Sequence, residues 1–410
     1  MAIDRFFRNL IDKYLYEISL GLLLIVSVVI RISLAPEVDI SPDYNDYFGA
    51  WVNYYKGTGF FKGLGSVIGD YYAPLNYMYA LCSLLPCEPW VPLSIIPCIC
   101  EYISAYFIYR IFFLLTGQKK QSMFAGVATL FLPYVVMNGS LWKQVDAIYS
   151  CVLVISFCYL LVQKYRTSII WYALCIAIKF QAIIFLPVFV IMYITDGFVR
   201  KDNEVLCADG RKGFGFLTFF WIPVVYLALG IPEVLLKNGL RRTYFVYIDQ
   251  AKEMETEGYG LTAVFPNLYN WGYDNFDELL TVACILTLFA VLVIIACVCY
   301  KYRDNIDSRM LVYLGLWTMW TCLMLMPGMH ERYDYPMLIL LTPFAVLIHK
   351  KALWPMIIAN LCSVMTYGRA MFRAELFGMQ WVSLFYAVAY FWITFDVIKN
   401  LKEGNVRVEA

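Results

Sequence analysis

Three aspartates that follow the first long apolar segment have the chemistry expected of a reaction site. Asp43 and Asp46 precede Trp51, and Asp70 precedes Tyr71 in a second aromatic stretch. An aspartate can accept the proton of an attacking hydroxyl group, so Asp43 and Asp46 are candidate general bases. Asp70 and Tyr71 are candidate substrate contacts. The alternative is an ordinary acidic loop, in which the spacing of these residues has no catalytic meaning.

The sequence WKQVDAIY, residues 142–149, supplies further polar groups between two apolar segments. Gln144 and Asp146 could hold the hydroxyl groups of a sugar or a phosphate, and Trp142 could stack on a pyranose ring. A lone tryptophan at this depth also fits the aromatic belt of a membrane protein, which is the alternative for Trp142.

Lys179 and Gln181 lie inside an apolar stretch, where a charged side chain is costly and by default marks a functional site. A cation at this position could bind a phosphate. Lys179 could instead extend to the membrane surface or pair with Glu101 of a neighbouring segment.

The sequence MHERYDYP contains one of the two histidines of the chain. His330 and Arg332 could stabilise a phosphate leaving group, since an arginine can donate two parallel hydrogen bonds. Glu331 would orient one of these two side chains, and Tyr333 is a candidate substrate contact. The alternative is a surface ion pair between Glu331 and Arg332. The second histidine, His349, is predicted to be an ordinary residue of a cytoplasmic loop.

The segments that must position these residues have the composition of transmembrane helices. Of the 410 residues, 61% are hydrophobic and 15% are charged, whereas soluble domains have about 25% charged residues. The mean hydropathy is +0.65, and apolar runs of about 20 residues recur along the chain. We expect an all-α polytopic membrane protein in which residues 1–410 form a single integral membrane domain. The lipid bilayer is its expected partner, and nucleic acid is not.

About twelve transmembrane segments are predicted, and the positive-inside rule places the basic loops in the cytoplasm. Residues 36–92 then form a long first outer loop with interfacial helices, and residues 230–277 form a second outer loop. The segment 71–86 is short and broken by Pro74. If it crossed, every later loop would change sides and the basic loops would face outward, so we predict an interfacial or re-entrant segment. The predicted crossings are residues 17–35, 93–115, 122–141, 147–163, 168–180, 182–195, 214–229, 278–300, 310–326, 335–348, 352–367 and 380–397.

The stretch 168–195 has basic loops on both sides, so the chain should enter and leave it on the cytoplasmic face. We expect two short helices that meet at residues 179–181 within the membrane. Irregular backbone at that depth is tolerated where it lines a cavity of the protein.

Several classes of site have no support in the sequence. It contains no Walker loop, no zinc-type His/Cys spacing, no nucleophile elbow and no dinucleotide fingerprint. The 13 cysteines lie mostly in apolar segments, which is typical of buried free thiols. No cofactor is expected, although Asp43 and Asp46 could bind a divalent metal ion that the chemistry does not require.

Five motifs occur in order along the chain: SPDY at 41–44 with Trp51, GDYYAPLNYMYAL at 69–81, LWKQVDAIY at 141–149, KFQAIIFLP at 179–187 and MHERYDYP at 329–336. As an ordered set they resemble the GT-C class of membrane glycosyltransferases. The nearest branches are the bacterial GPI-mannosyltransferase-like proteins and the dolichyl-phosphate-glucose-dependent glucosyltransferases. Lys143 stands where this family usually has glycine, whereas Glu101 fits a position that is acidic in the family.

The resemblance implies an enzyme that transfers a hexose, mannose or glucose, from a polyprenyl-phosphate donor. The acceptor would be a glycan, a lipid-linked sugar or a wall polymer on the outer face of a bacterial plasma membrane. The catalytic base of the family maps onto Asp43, with Asp46 in reserve. Transfer would invert the anomeric carbon in one step, and Lys179, His330 and Arg332 would stabilise the departing phosphate. Because phosphate leaves as a stable anion, no strong general acid is required.

Two other functions fit parts of the sequence. A transporter or flippase of a lipid-linked sugar also has broken helices and buried charges, although no internal repeat is visible here. A structural or accessory membrane subunit would leave Lys179 and residues 330–332 without a role. Tolerance of Asp43→Asn would favour the flippase over the transferase.

Overall fold

The computed structural model describes residues 2–195, 214–256, 262–271 and 280–404, which are almost entirely helical. The α-helices are α1 (Ala2–Leu34), α2 (Gly49–Thr58), α3 (Phe60–Leu64), α4 (Ala73–Cys82), α5 (Trp90–Thr116), α6 (Lys119–Thr129), α7 (Pro133–Val136), α8 (Asp146–Leu161), α9 (Tyr165–Ile178), α10 (Leu186–Ile194), α11 (Trp221–Leu235), α12 (Leu240–Tyr244), α13 (Val246–Thr256), α14 (Leu280–Lys301), α15 (Ser308–Leu325), α16 (Tyr335–Leu347), α17 (Leu353–Phe372) and α18 (Met379–Glu403).

The remaining described elements are short. Two strands, β1 and β2, pair in parallel, with Thr262 opposite Met329 and Ala263 opposite His330. The strands are β1 (Thr262–Ala263) and β2 (Met329–His330); the π-helical turns are Tyr44–Phe48 and Met137–Leu141; the 3₁₀ turns are Phe180–Phe185, Phe216–Phe220, Leu268–Trp271, Arg303–Asn305 and Lys350–Ala352.

The all-helical fold class is confirmed, and several helices are apolar enough for a membrane protein. Among the described residues, four helices are long and apolar enough to cross a bilayer, and a bent pair would make a fifth. A described helix lies at each of the twelve predicted segments, but several of these helices have fewer than 18 residues. The number of crossings therefore stays a prediction. The four long spans are Lys13–Leu34, Trp90–Thr116, Phe216–Leu235 and Met379–Glu403, and the bent pair is Lys119–Thr129 with Pro133–Leu141.

Local sequence explains where several of these helices begin and end. The carboxylate of Asp307 accepts a hydrogen bond from the backbone N–H of Met310 at 2.7 Å, which caps the start of α15. Pro74 lies in the first turn of α4, where its missing N–H costs nothing. Gly117 ends α5 with a φ of 71°, a left-handed conformation that glycine adopts without strain.

The segment 71–86 contains the short helix α4. Ten residues extend only about 15 Å, half the thickness of the hydrocarbon core. The helix docks on α11: Asn76 donates to Glu233 at 2.9 Å and Tyr77 donates to the carbonyl of Leu229 at 2.7 Å. The first outer loop therefore packs against the start of the predicted second one. Two parts of that second loop, residues 257–261 and 272–277, lie outside the described residues.

The predicted break in the stretch 168–195 is confirmed. Helix α9 ends at Ile178, and Lys179 has an extended backbone with φ −149° and ψ 119°. A 3₁₀ turn, Phe180–Phe185, follows before α10 begins. The hydroxyl group of Tyr172 donates to the carbonyl of Ala182 at 3.1 Å, so one side chain of α9 compensates part of the interrupted hydrogen bonding.

The buried ion pair between Arg31 and Glu101 joins α1 to α5. Their side chains are 2.6 Å apart and almost fully buried. Arg31 also donates to the carbonyls of Ser27 at 3.1 Å and Leu130 at 3.0 Å, so one guanidinium connects three helices. Glu101 is therefore the partner of Arg31, and the alternative that it pairs with Lys179 is wrong. Sequence could not decide this, because either cation could face α5.

Gly139 packs directly against this ion pair. A Cβ atom at Gly139 would overlap the Oε1 atom of Glu101. We expect Gly139→Ala to lower the free energy of unfolding by about 3 kcal/mol, since the methyl group either overpacks the site or displaces a buried charge from its partner. Unfolding of the purified protein in detergent measures the change. Gly368→Ala is the matched control, because a Cβ atom there has no neighbour within 4 Å. Equal stability of the two variants would contradict the prediction.

His349 lies in the short connection after α16, but it is not the ordinary loop residue that was predicted. It is buried, and its Nε2 atom lies 2.5 Å from the Oδ2 atom of Asp396 in α18. The hydroxyl group of Tyr313 donates to the same carboxylate at 2.8 Å. The two lysines that follow His349 favour a cytoplasmic loop, but the ring itself points into the protein and joins α18 to α15.

Candidate functional site

Four of the five predicted motifs meet at one place, although they are far apart in the sequence. Residues 41–44 precede α2, and residues 142–146 connect a π-helical turn to α8. Residues 179–181 form the break after α9, and residues 330–333 connect β2 to α16. Each stretch lies at the end of a helix, where the chain can change direction and present side chains inward. Their charged residues form the Arg332 cluster, defined as Asp43, Asp146, Lys179, Glu331 and Arg332.

The guanidinium of Arg332 is the centre of this cluster. Its Nε atom lies 3.2 Å from Oδ2 of Asp146, and its Nη2 atom lies 4.0 Å from Oδ2 of Asp43. Its Nη1 atom donates to Glu331, and the group lies 5.2 Å from the ring centroid of Trp142. Three carboxylates and an aromatic face therefore hold one buried cation in place.

Asp146 and Lys179 form the most buried part of the cluster. Lys179 Nζ lies 2.6 Å from Asp146 Oδ1, and the two side chains are 3% and 0% exposed. The side-chain amide of Asn138 donates to Asp146 Oδ2 at 3.4 Å. Its side-chain oxygen, Oδ1, accepts from the backbone N–H of Ala147 at 3.2 Å. Asp146 therefore acts as an internal counter-ion and does not face a sugar, and the ammonium of Lys179 is committed to it. The predicted direct substrate contacts of these two residues are not available in this arrangement.

Asp43 is the accessible carboxylate of the cluster. Its side chain is 22% exposed and accepts a hydrogen bond from the amide of Gln144. Gln144 is itself fully buried, so it supports the carboxylate from the protein side. Asp46 lies on the exposed side of the π-helical turn that follows Asp43. Asp43 therefore belongs to the cluster, whereas Asp46 lies outside it.

Trp142 has neither of its predicted placements. Its side chain is buried, with Arg332 over the ring and Tyr367 packed edge-on at 5.5 Å. Its carbonyl accepts a hydrogen bond from the Ser41 hydroxyl at 2.6 Å. The indole therefore has no open face for a sugar and no contact with lipid. The ring packs against the guanidinium of Arg332. Neither the residue type nor the predicted depth in the membrane reveals this role.

Glu331 orients both of its neighbours, as predicted for at least one of them. Its carboxylate accepts from Arg332 and lies 3.8 Å from Nδ1 of His330. Burial raises the pKa of Glu331, but the charges of Arg332 and His330 outweigh this effect and lower the pKa to about 2. The alternative of a surface ion pair is wrong, since Glu331 and Arg332 are both buried. Strand β1 holds the backbone of His330 from the other side.

Gln181 and Tyr333 connect the helix break to the segment before α16. Gln181 donates to the hydroxyl group of Tyr333 at 2.7 Å. The Tyr333 ring lies 4.9 Å from the ammonium of Lys179. Both residues therefore belong to the same site, and Tyr333 is buried while Gln181 is half-buried.

Asp70 and Tyr71 lie next to the cluster. Gln250 of α13 donates to Asp70 Oδ2 at 3.0 Å, and Tyr71 packs edge-on against Trp51 at 5.6 Å. Burial raises the pKa of the Asp70 carboxyl, and the negative charge of Asp43 raises it further. The Gln250 hydrogen bond and Arg242 act in the opposite direction without cancelling the rise.

Three residues of the site were missed by sequence reasoning. Asn138 donates to the hydroxyl group of Tyr367 at 3.0 Å as well as to Asp146. An asparagine inside a predicted span is costly, so its presence there could have identified Asn138. Tyr367 and Gln250 have no such signal, because tyrosines are frequent throughout the chain and Gln250 lies in a polar segment.

Two other features concern the surroundings of the site. Among the residues that the structure describes, no group of three or more His, Cys, Asp or Glu side chains is placed to hold a metal ion. A cavity of about 750 Å³ lies between α1, α6 and α16, lined in part by Tyr16, Lys120 and Lys350. None of its lining residues belongs to the Arg332 cluster, so its volume does not locate the reaction site.

Lys143 adopts the left-handed backbone conformation, with a φ of 62°, which glycine adopts without strain. Its ammonium donates to the carbonyl of Leu141 at 3.0 Å. We expect Lys143→Gly to be more stable to unfolding than Lys143→Ala by about 1 kcal/mol, because both variants lose the ammonium while only glycine relieves the backbone strain. Thermal unfolding of the two variants compares them directly. A more stable alanine variant would show that backbone strain is not the controlling factor.

No protein-family model matches this chain, and no curated protein matches it.

Proposed function

We propose that this chain is a membrane glycosyltransferase that moves a hexose from a polyprenyl-phosphate donor to a glycan or lipid-linked acceptor. The observation that carries the proposal is the pairing of an accessible carboxylate, Asp43, with the oriented guanidinium of Arg332 at 4.0 Å. An acceptor hydroxyl needs a base, and a phosphate leaving group needs a cation. Asp43 and Arg332 supply one of each within a single cluster, which supports the proposal.

Asp43 is the general base of the proposed reaction. Its carboxylate takes the proton of the acceptor hydroxyl while that oxygen forms a bond to the anomeric carbon of the donor. The bond between the anomeric carbon and the phosphate oxygen breaks on the opposite face of the ring, so the configuration inverts. Gln144 keeps the carboxylate pointed toward the acceptor through its hydrogen bond.

Arg332 and His330 stabilise the departing polyprenyl phosphate. Both side chains retain some exposure, 11% for Arg332 and 19% for His330, so their donors can reach a ligand. Lys179 is buried against Asp146 and acts as a positioning residue, because it neutralises part of the charge that holds Arg332. Donors fixed before the reaction stabilise developing charge without reorganising, which is usually the largest contribution to catalysis.

The proposed location of the reaction is the non-cytoplasmic face of a plasma membrane. The positive-inside rule supports it, since residues 118–120, 164–166 and 301–303 are basic loops that would lie in the cytoplasm. The Arg332 cluster lies at the opposite ends of the helices that these loops connect. The acceptor would therefore be an external glycan, lipid-linked sugar or wall polymer.

A flippase for a lipid-linked sugar is the second candidate, and the broken helix at Lys179 favours it. Purified protein in proteoliposomes, supplied with radiolabelled polyprenyl-phosphate mannose or glucose, distinguishes the two functions. A transferase moves label from the donor into a membrane-extract acceptor. If the donor stays intact while labelled lipid changes leaflet, the transferase proposal is wrong and the flippase replaces it.

A further inference from the structure

A cavity of about 320 Å³ lies between the first outer loop and α13. Its volume is at the lower end of the range for small-molecule sites, about 300–1,000 Å³, which suits one sugar ring better than a polyprenyl chain. Its polar lining comes from two loops that are far apart in the sequence: Asp70 on one side, and Arg242, Asp249, Gln250 and Lys252 on the other.

Asp70 and Gln250 line this cavity as a hydrogen-bonded pair, in which Gln250 donates to Oδ2 of Asp70 at 3.0 Å. The Oδ1 atom of Asp70 is enclosed by the protein, but both residues are only half-buried, so a ligand hydroxyl in the cavity can meet the pair. Arg242 donates to the carbonyls of Val67 at 3.3 Å and Gly69 at 3.1 Å, which holds the backbone before Asp70 in place.

The charges around the cavity are balanced. Asp70 and Asp249 supply two negative charges, and Arg242 and Lys252 supply two positive charges. A site for an ion would have an excess of the opposite charge, whereas balanced polar groups suit a neutral ligand with many hydroxyl groups. The ligand chemistry that fits best is therefore a carbohydrate.

Packed aromatic side chains connect the wall of the cavity to the turn that follows Asp43. Trp51 of α2 packs against Tyr71, the neighbour of Asp70, at 5.6 Å and against Phe48 at 5.5 Å. Phe48 belongs to the π-helical turn that begins directly after Asp43. Asp43 and Asp70 are close enough for the charge of Asp43 to raise the pKa of Asp70. One packed aromatic group therefore fixes the cavity relative to the candidate base.

We propose that this cavity binds the terminal, neutral hexose of the acceptor, with Asp70 and Gln250 holding its hydroxyl groups and a further hydroxyl directed toward Asp43. This inference rests on the proposed function and names its acceptor. Asp70 is then a binding residue, and its replacement should weaken the affinity for the acceptor more than it lowers the rate of the chemical step.

Binding is tested on the full-length protein in lipid nanodiscs. The probes are methyl α-D-mannopyranoside and methyl α-D-glucopyranoside, followed by saturation-transfer NMR. We expect the wild type to bind at least one probe, and Asp70→Asn and Gln250→Leu to bind it at least 10-fold more weakly. Lys119→Gln is the control, since Lys119 is exposed and does not line the cavity. Its binding should equal that of the wild type.

The outcomes separate the inference from the function on which it rests. No binding of either probe by the wild type, or equal binding by all variants, overturns the acceptor site. If the probe binds as expected but no donor is consumed, the transferase proposal fails and the sugar site stands. If transfer occurs and Asp70→Asn leaves the acceptor KM unchanged, the site fails and the function stands. Should Asp70→Asn not fold, Gln250→Leu decides, because Gln250 is only half-buried.

Discussion

Asp43→Asn is expected to abolish most hexose transfer, lowering kcat by about 100- to 10,000-fold. An asparagine keeps the size of the side chain and can still meet the amide of Gln144 after a flip, but it cannot accept the proton of the acceptor hydroxyl. Donor binding should be retained, since the proposed phosphate contacts belong to Arg332 and His330. The measurement is label transfer from a radiolabelled donor, with donor binding followed separately.

Asp46→Asn provides the comparison for this prediction. Asp46 lies on the exposed side of the same turn, so its replacement changes the local charge equally without touching the Arg332 cluster. We expect its transfer rate to stay within a few-fold of wild type. The opposite result, with Asp46→Asn inactive and Asp43→Asn active, would move the base to Asp46. Full activity in both variants would remove the base from this loop altogether.

Asp146→Asn is expected to lower the free energy of unfolding by about 3–5 kcal/mol, the range for breaking a buried ion pair. The change leaves the ammonium of Lys179 buried without a counter-ion and weakens the support of Arg332. Chemical unfolding in mixed micelles measures the loss. Transfer should fall as well, because Arg332 would no longer be held in one orientation.

Two further variants show whether the buried charge is the cause. Asp146→Asn combined with Lys179→Met removes the unpaired cation, so the double variant should regain part of the lost stability. Asp249→Asn breaks the exposed pair with Arg241, which should change stability by less than about 1 kcal/mol. If the loss of unfolding free energy in the double variant equals the sum of the losses in the two single variants, Asp146 does not stabilise the fold by neutralising Lys179.

Sequence predicted the interruptions of the helices better than the contacts between them. The break at Lys179 follows from the basic loops on both sides and from the cost of a charge in an apolar stretch, and both signals are local. Its partner is 33 residues away in the sequence. Asp146 and Glu101 are both acidic residues in or next to predicted spans. Which of them pairs with Lys179 depends on how α5 and α8 are rotated about their axes.

Trp142 and His349 show the same limit in another form. Both were predicted from the side of the membrane on which they fall, which is a property of the chain order. Their actual roles depend on which face of the local backbone points inward, and short irregular segments have no periodicity from which to read this. The left-handed conformation of Lys143, with a φ of 62°, was not predicted either.

The ion pair between Arg31 and Glu101 also has a consequence for the order in which the helices assemble. Arg31 is synthesised 70 residues before its partner, and α1 is mostly exposed along its length, with 17% of its apolar window buried. The charge of Arg31 is therefore translated before its counter-ion. We expect α1 to take its final position only when α5 is in place, since Glu101 of α5 is the carboxylate that pairs with Arg31.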